Sequence, residues 1–325
     1  MIAKIKGKKV LFITTKRLDY MRNTQEIRML QKHSDSYRII GSTQKHYLPR
    51  LLKVYAKLFL TNVHSYDTVF IGFAPQLVLP LFFWKFRKKY CIIDFFVSIY
   101  DTFCNDRQLF TPAGLIGRFL HRLDCITIAL ADHVICDTRH HGDYFIEEFH
   151  ANADKLQLLY LEADPSIYYP MIHPKPKELR NKHTVLFFGS MLPLQGYTII
   201  LDAFLALQNH PDYFFYFIGP ADVSLKNKAG TSGNIRLIDW LDQKDLAYHI
   251  SLADLCIAGH FNDTIQKAWR TIPGKAYIYR AMNKPMILGN TPANHELYCS
   301  DPNTIYVPLG DSNALCCAIR SFFGD

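Results

Sequence analysis

Along the whole chain, apolar runs of strand length alternate with stretches whose apolar residues return at helical spacing, the pattern of βαβ units around parallel sheets. In the first half it predicts strands at 9–14, 37–41, 68–72, 90–95, 133–137 and 156–160, with helices near 24–32, 115–131 and 139–148. The pattern then breaks. Residues 164–184 hold Pro165, Pro170, Pro174 and Pro176 among mixed charges and read as a linker. A second alternating set follows at once. Residues 185–188 are a continuous apolar run ending at Gly189, as a parallel strand buried on both faces would be. Residues 193–209 carry Ile199, Ile200, Ala203, Phe204 and Leu207 as one helical stripe. Further strands are expected at 214–219, 235–238, 255–258, 286–288 and 304–307, with helices at 273–282, which Pro273 opens, and at 312–323. The expected fold is α/β, two doubly wound Rossmann-like domains facing each other across a cleft. Their expected extents are 1–165 and 166–311, with 312–325 a C-terminal helix packing back on the first domain.

Composition removes several classes. A chain of 325 residues with 49% apolar and 20% charged residues is ordinary globular material, and 16 Gly and 16 Pro exclude a collagen-like chain. The longest apolar stretch, 71–84, is interrupted by Pro75 and Pro80 and falls short of the roughly 20 residues a bilayer span needs. The apolar run at 10–13 is too short for a signal peptide, so a cytoplasmic protein, soluble or peripheral at the inner membrane face, is expected. The eight cysteines form no CxxC and no zinc spacing, and Cys91, Cys136 and Cys256 sit in strand-like runs as small hydrophobes. Charge changes the picture more. Residues 1–90 carry 18 Lys and Arg against 4 Asp and Glu, a balance of +14, while the remainder carries −6. Beside apolar stretches at 51–60 and 77–90, this suggests an anionic membrane surface as a partner through residues 1–90; a solvated positive face is the alternative. No recognition motif for nucleic acid accompanies the charge.

The chemistry-bearing motifs lie mainly in the second half. No GxGxxG follows the first strand and no GxxxxGK[ST] occurs. HExxH and Asp-x-Asp are also absent, so no metal site is expected. His140 and His141 read as surface or cap residues. Two strand-to-helix turns suit a phosphate. In the first, Gly189, Ser190, Gln195 and Gly196 let backbone amides approach a ligand ahead of a helix. In the second, Arg270, Pro273, Gly274 and Lys275 bring cations to a helix N-terminus. His260, after the 255–258 strand, is placed to bond a donor sugar or phosphate.

These segments resemble the GT-B glycosyltransferases of the family-4 type along nearly the whole chain. Ala131-Asp132-His133-Val134-Ile135-Cys136-Asp137-Thr138 is similar to that family's "ADxVIxxS" strand, and residues 160–170 to its "NGVDxxxFxP" interdomain segment. Residues 186–204 resemble its "hhGxxxxxKGhxxhhxAh" turn and helix, Phe217-Ile218-Gly219 its "hhhGxG" strand end, and residues 253–257 its "AADhhh" segment. Residues 271–288, TIPGKAYIYRAMNKPMIL, resemble its "xxPxKxxEYhAxGKPVhh" donor segment. The resemblance implies an acceptor-side first domain and a donor-side second one. It also implies a nucleotide-sugar co-substrate, no separate cofactor, and a carbohydrate or lipid-linked glycan acceptor in surface-polysaccharide assembly.

Departures from the family pattern bear on the chemistry. Where the family places an Arg and a Lys for the donor diphosphate, Ser190 and Gln195 stand; its Glu-x7-Glu pair maps onto Arg270 and Ile278. Arg270 and Lys275 are therefore expected to supply the missing positive charge. On the acceptor side the resemblance points to Asp94, at a strand end facing the cleft, and to nearby Asp101, as a base or an electrostatic stabiliser. The expected activity is metal-independent sugar transfer. A non-catalytic GT-B subunit partnering an active transferase is the alternative, and a nucleotide-sugar epimerase a weaker one.

Overall fold

The computed structural model describes residues 2–230 and 232–325, which form two compact units, one up to Glu162 and one from Ala163 on. The first holds the strands β1 (Lys9–Ile13), β2 (Ser36–Ile40), β3 (Thr68–Ile71), β4 (Tyr90–Asp94), β5 (His133–Cys136) and β6 (Leu156–Leu158). They form one parallel sheet in the order β2-β1-β3-β4-β5-β6. Its helices are α1 (Ile2–Ile5), α2 (Met21–His33), α3 (Tyr47–Leu60), α4 (Leu79–Phe86), α5 (Leu115–Leu130) and α6 (Arg139–Phe149). Both faces of the sheet are covered, so strand residues bury alternately. Val10 and Phe12 join a core with Ile5 and Leu30 of α1 and α2, whereas Leu11 and Ile13 join one with residues of α3 to α6.

The segment 51–60 proves to be most of α3, and 77–90 contains α4; both helices also carry apolar residues on their outward side. Lys85, one of the membrane candidates, instead caps α3: its ammonium donates to the carbonyls of Leu58, Phe59 and Thr61 at 2.6–3.0 Å. Lys89 does the same for His64 and Tyr66.

The second unit repeats the plan with β7 (His183–Phe188), β8 (Tyr213–Ile218), β9 (Ile235–Ile238), β10 (Leu255–Gly259), β11 (Met286–Gly289) and β12 (Thr304–Val307), parallel in the order β12-β11-β10-β7-β8-β9. Its helices are α7 (Tyr197–Ala206), α8 (Val223–Ala229), α9 (Gln243–Leu252), α10 (Lys267–Arg270), α11 (Gly274–Ala281), α12 (Pro292–Tyr298) and α13 (Ser312–Phe323). The last helix belongs to the second unit: Leu315 and Ile319 of α13 are fully buried in its core with Ile200 and Phe204 of α7, and the adjoining Phe323 stacks on His183. All eight cysteines are free, and burial pushes the thiols of Cys91 and Cys136 up to about 12.

Chain order reverses between β1 and β3 in the first sheet and between β7 and β10 in the second. Ligands of open α/β sheets bind at such switch points, beyond the carboxyl ends of the strands.

Candidate functional site

In the second unit the expected donor residues gather around one switch point. The amide of Gly189, just past β7, donates to Ile218 of β8 at 2.8 Å. Gly219 follows β8 at φ +148, and a Cβ there would stand 2.0 Å from the Gly189 carbonyl, so this approach requires glycine. The turn then passes Met191, left-handed at φ +53, and Pro193 to Gly196 at φ +63, where α7 begins. Gln195 folds back over Gly189: its Nε2 lies 3.4 Å from Ser190 Oγ, and its Oε1 is buried without a hydrogen-bond partner among the described residues.

The loop after β10 closes the other side. Gly259 and His260 are both left-handed, at φ +89 and +59. A histidine at that angle is strained, and its Nδ1 stands 3.2 Å from the Thr271 carbonyl. Pro273 precedes α11 and Gly274 opens it, while Arg270 is half-buried at the end of α10. Lys275, in the first turn of α11, is the decisive residue. It is only 6% exposed, with its ammonium 5.1 Å from the Phe187 ring centre and 3.5 Å from where a Cβ on Gly259 would sit. Among the described residues nothing gives it a hydrogen bond or an ion pair, and burial pulls its pKa down to about 7. Ile278, in the place of the family's glutamate, is buried on the same helix and offers no acceptor to a ribose.

The first unit carries a buried polar cluster that sequence reasoning missed. Asp94, expected to be open to an acceptor, is fully buried, and both oxygens are held by Arg22, at 2.6 Å from Nε and 3.3 Å from Nη2. Glu26, one turn along α2, is also fully buried, with Oε1 4.0 Å from Arg22 Nε and neither carboxyl oxygen hydrogen-bonded among the described residues; burial, with Asp94 beside it, lifts its pKa well above the usual range. A Cβ on Gly72 would come 2.9 Å from this carboxyl. Behind them His141, expected at the surface, is buried with Nδ1 2.6 Å from Asp137; burial opposes the charge on Asp137, but His141 outweighs it and holds the carboxylate below its usual range. The only signal was a polar stripe at helical spacing, Arg22, Gln25 and Glu26, and the predicted helix began two residues too late to include Arg22. Asp101 is buried as well and accepts from Asn105 at 3.1 Å.

Above this cluster, at the first sheet's switch point, Lys16 follows β1. Its ammonium lies 4.9 Å from the Phe73 ring centre and 5.5 Å from that of Tyr20. Burial lowers its pKa, and the charges of Arg50 and Arg107 lower it further. Among the described residues it has no carboxylate partner. Arg50, bound through Nε to the Thr15 carbonyl at 2.9 Å, spends its donors on backbone oxygens.

Residues 182–325 match the family model "Glycosyl transferases group 1". Among curated proteins none matches the sequence. Among solved structures, the sucrose-phosphate synthase of Thermosynechococcus elongatus superposes with a TM-score of 0.69 at 14% identity, over 98% of this chain and 90% of that one. The Anabaena protein HepE, solved with UDP and glucose, gives 0.65 at 15% identity over the same shares. The trehalose-6-phosphate synthase OtsA gives 0.59 at 14%, over 87% and 71%. The two parallel sheets and the likeness to these structures give the chain the GT-B fold, and its second unit, with the glycine turns and the buried lysine, is the part that matches the group 1 glycosyltransferase model.

Proposed function

We propose that the protein transfers a sugar from a nucleoside diphosphate sugar, without a metal ion or separate cofactor, to a carbohydrate or lipid-linked glycan acceptor. The setting we propose is surface-polysaccharide assembly on the cytoplasmic side of a membrane. One observation carries the donor half. Lys275 is a buried ammonium with no counter-charge among the described residues, set between glycine turns and a helix N-terminus. An unpaired buried cation is costly unless an anion arrives, and a diphosphate supplies one. Gly189, Gly219, Pro273 and Gly274 shape this site, Ser190 and Gln195 offer neutral donors, and Arg270 and His260 flank it. HepE, which binds UDP and glucose, supports the same reading by its likeness in fold.

The expected result is a rise in Tm with UDP or another nucleoside diphosphate in the presence of a chelator. A rise that appears only with Mn²⁺ or Mg²⁺ overturns the metal-free reading. Gln195 and Ile278, which lack the family's charges, favour a second reading, a non-catalytic subunit. Nucleotide binding without transfer or hydrolysis of any nucleotide sugar selects it.

On the acceptor side, Lys16 beside Arg50 suits an acceptor carrying phosphate, as a lipid-linked glycan does. Replacing Lys16 by alanine should raise the acceptor KM about tenfold or more, the scale of one charge-assisted hydrogen bond, with kcat little changed. An unchanged KM removes Lys16 from the site. Asp94, buried and held at both oxygens, fits electrostatic stabilisation of a positively charged centre better than acceptance of a hydroxyl proton. Asp101, already engaged by Asn105, is the weaker of the two candidates.

A further inference from the structure

The outward surface of α3, α4 and α5 is apolar where a soluble layer would be polar. The three helices pack on one face of the first sheet, with Val54, Leu58, Leu79, Phe86 and Ile128 turned into a single core. Their outer positions should then be charged. Instead Leu52, Leu60, Leu81, Trp84, Leu115 and Phe119 are all more than half exposed, Leu60 at 84% and Leu115 at 87%. The charges between them have one sign. Lys53, Arg87, Lys88, Arg118 and Arg122 are exposed, and the only acid on the three helices, Asp124, is fully buried and bonded to Ser98, Gln76 and the Tyr100 amide. Between the end of α3 and α4 an open groove of about 710 Å³ is lined by Leu60, Asn62, His64, Trp84, Arg87 and Lys88.

We propose that this three-helix face docks on a bilayer containing anionic lipid. Exposed Leu, Phe and Trp enter the headgroup and acyl boundary while Lys and Arg stems lie along it and reach phosphates. The acids of this layer are confined to α6 on the far side of α5, where Glu148 pairs with His121 at 3.2 Å, so α3 to α5 present one sign of charge, which suits anionic lipid. This deepens, and rests on, the membrane placement proposed above, and it relocates the surface. Lys85 and Lys89 are committed to carbonyls, and α1, which carries Lys4, belongs with Ile5 and Leu30 to the opposite layer. The face includes α5, which lies outside the basic first 90 residues altogether.

The test is co-sedimentation of the full chain with phosphatidylcholine vesicles, with and without phosphatidylglycerol. The chain should bind the anionic vesicles and release from them at about 0.5 M salt, where screening shortens to a few ångströms. Trp84→Ser and Phe119→Ser should each lower partition about fivefold or more, and the double variant Arg87→Glu, Lys88→Glu about tenfold or more. Lys6→Glu with Lys8→Glu, on the opposite layer, should bind as the parent does. Each variant should keep its Tm rise with UDP, which separates this face from the donor site: loss of vesicle binding with that rise intact concerns the face alone. The proposal is overturned if the parent binds neither vesicle, if Trp84→Ser and Phe119→Ser bind undiminished, or if Trp84→Ser alters self-association and not vesicle binding.

Discussion

Replacing Lys275 by methionine stabilises the ligand-free protein and removes its response to a nucleoside diphosphate. Methionine fills much the same volume beside Phe187 and carries no charge to desolvate. A lysine held at about 7, against 10.5 when free, imposes a cost on the fold. At 1.36 kcal/mol per pKa unit, and allowing for relaxation, we expect a gain of about 2–4 kcal/mol, or roughly 5–10 °C in the Tm of that unit. The pH dependence has a definite sign. The folded pKa of a cation is lowered, so the cost is fully present below about 7 and disappears as pH rises towards 10.5. The gap between the parent and the methionine variant should therefore close in alkali. Binding runs in the same direction: a diphosphate favours the charged amine, so affinity should fall as pH rises above about 7 while the methionine variant stays flat. A methionine variant less stable than the parent at neutral pH, or one that still responds to nucleotide, overturns the role given to Lys275.

The opposite outcome is expected for Arg22→Met. This removes the only cation hydrogen-bonded to Asp94 among the described residues, and leaves two buried carboxyl groups, Asp94 and Glu26, side by side. Breaking a buried pair from one side costs about 3–5 kcal/mol. Denaturant unfolding of the variant beside the parent checks this. Arg22→Lys should fall between, since an ammonium keeps the charge but not the two-point grip. Parent-like stability of Arg22→Met would show that the pair does not hold this corner together.

How much was legible in sequence depended on how local the cause was. The strands were placed to within about two residues because both faces of each sheet are covered, so nearly every strand position is apolar. The turn chemistry of Gly189, Gly219 and Pro273 is equally local, a matter of backbone angle and approach. What Lys275 experiences is not local: its burial depends on Phe187 from β7 and Gly259 from β10. Arg22 and Asp94 are 72 residues apart, and no spacing rule links them. Gln195 was read as a missing charge, and its return over Gly189, which leaves a buried oxygen unsatisfied, is visible only in three dimensions. For α4 the difficulty lay elsewhere, since a helix apolar on both sides carries little contrast for a period to register.

The three carbonyls gathered by Lys85 have a mechanical consequence. They bind the trailing end of α3 to the last turn of α4 through a single ammonium, and Lys89 anchors the connection that follows α3. Neither helix can then roll on its own axis to turn its inner residues outward without giving up several charge-assisted bonds at once. Such a layer meets any surface as a stiff plate.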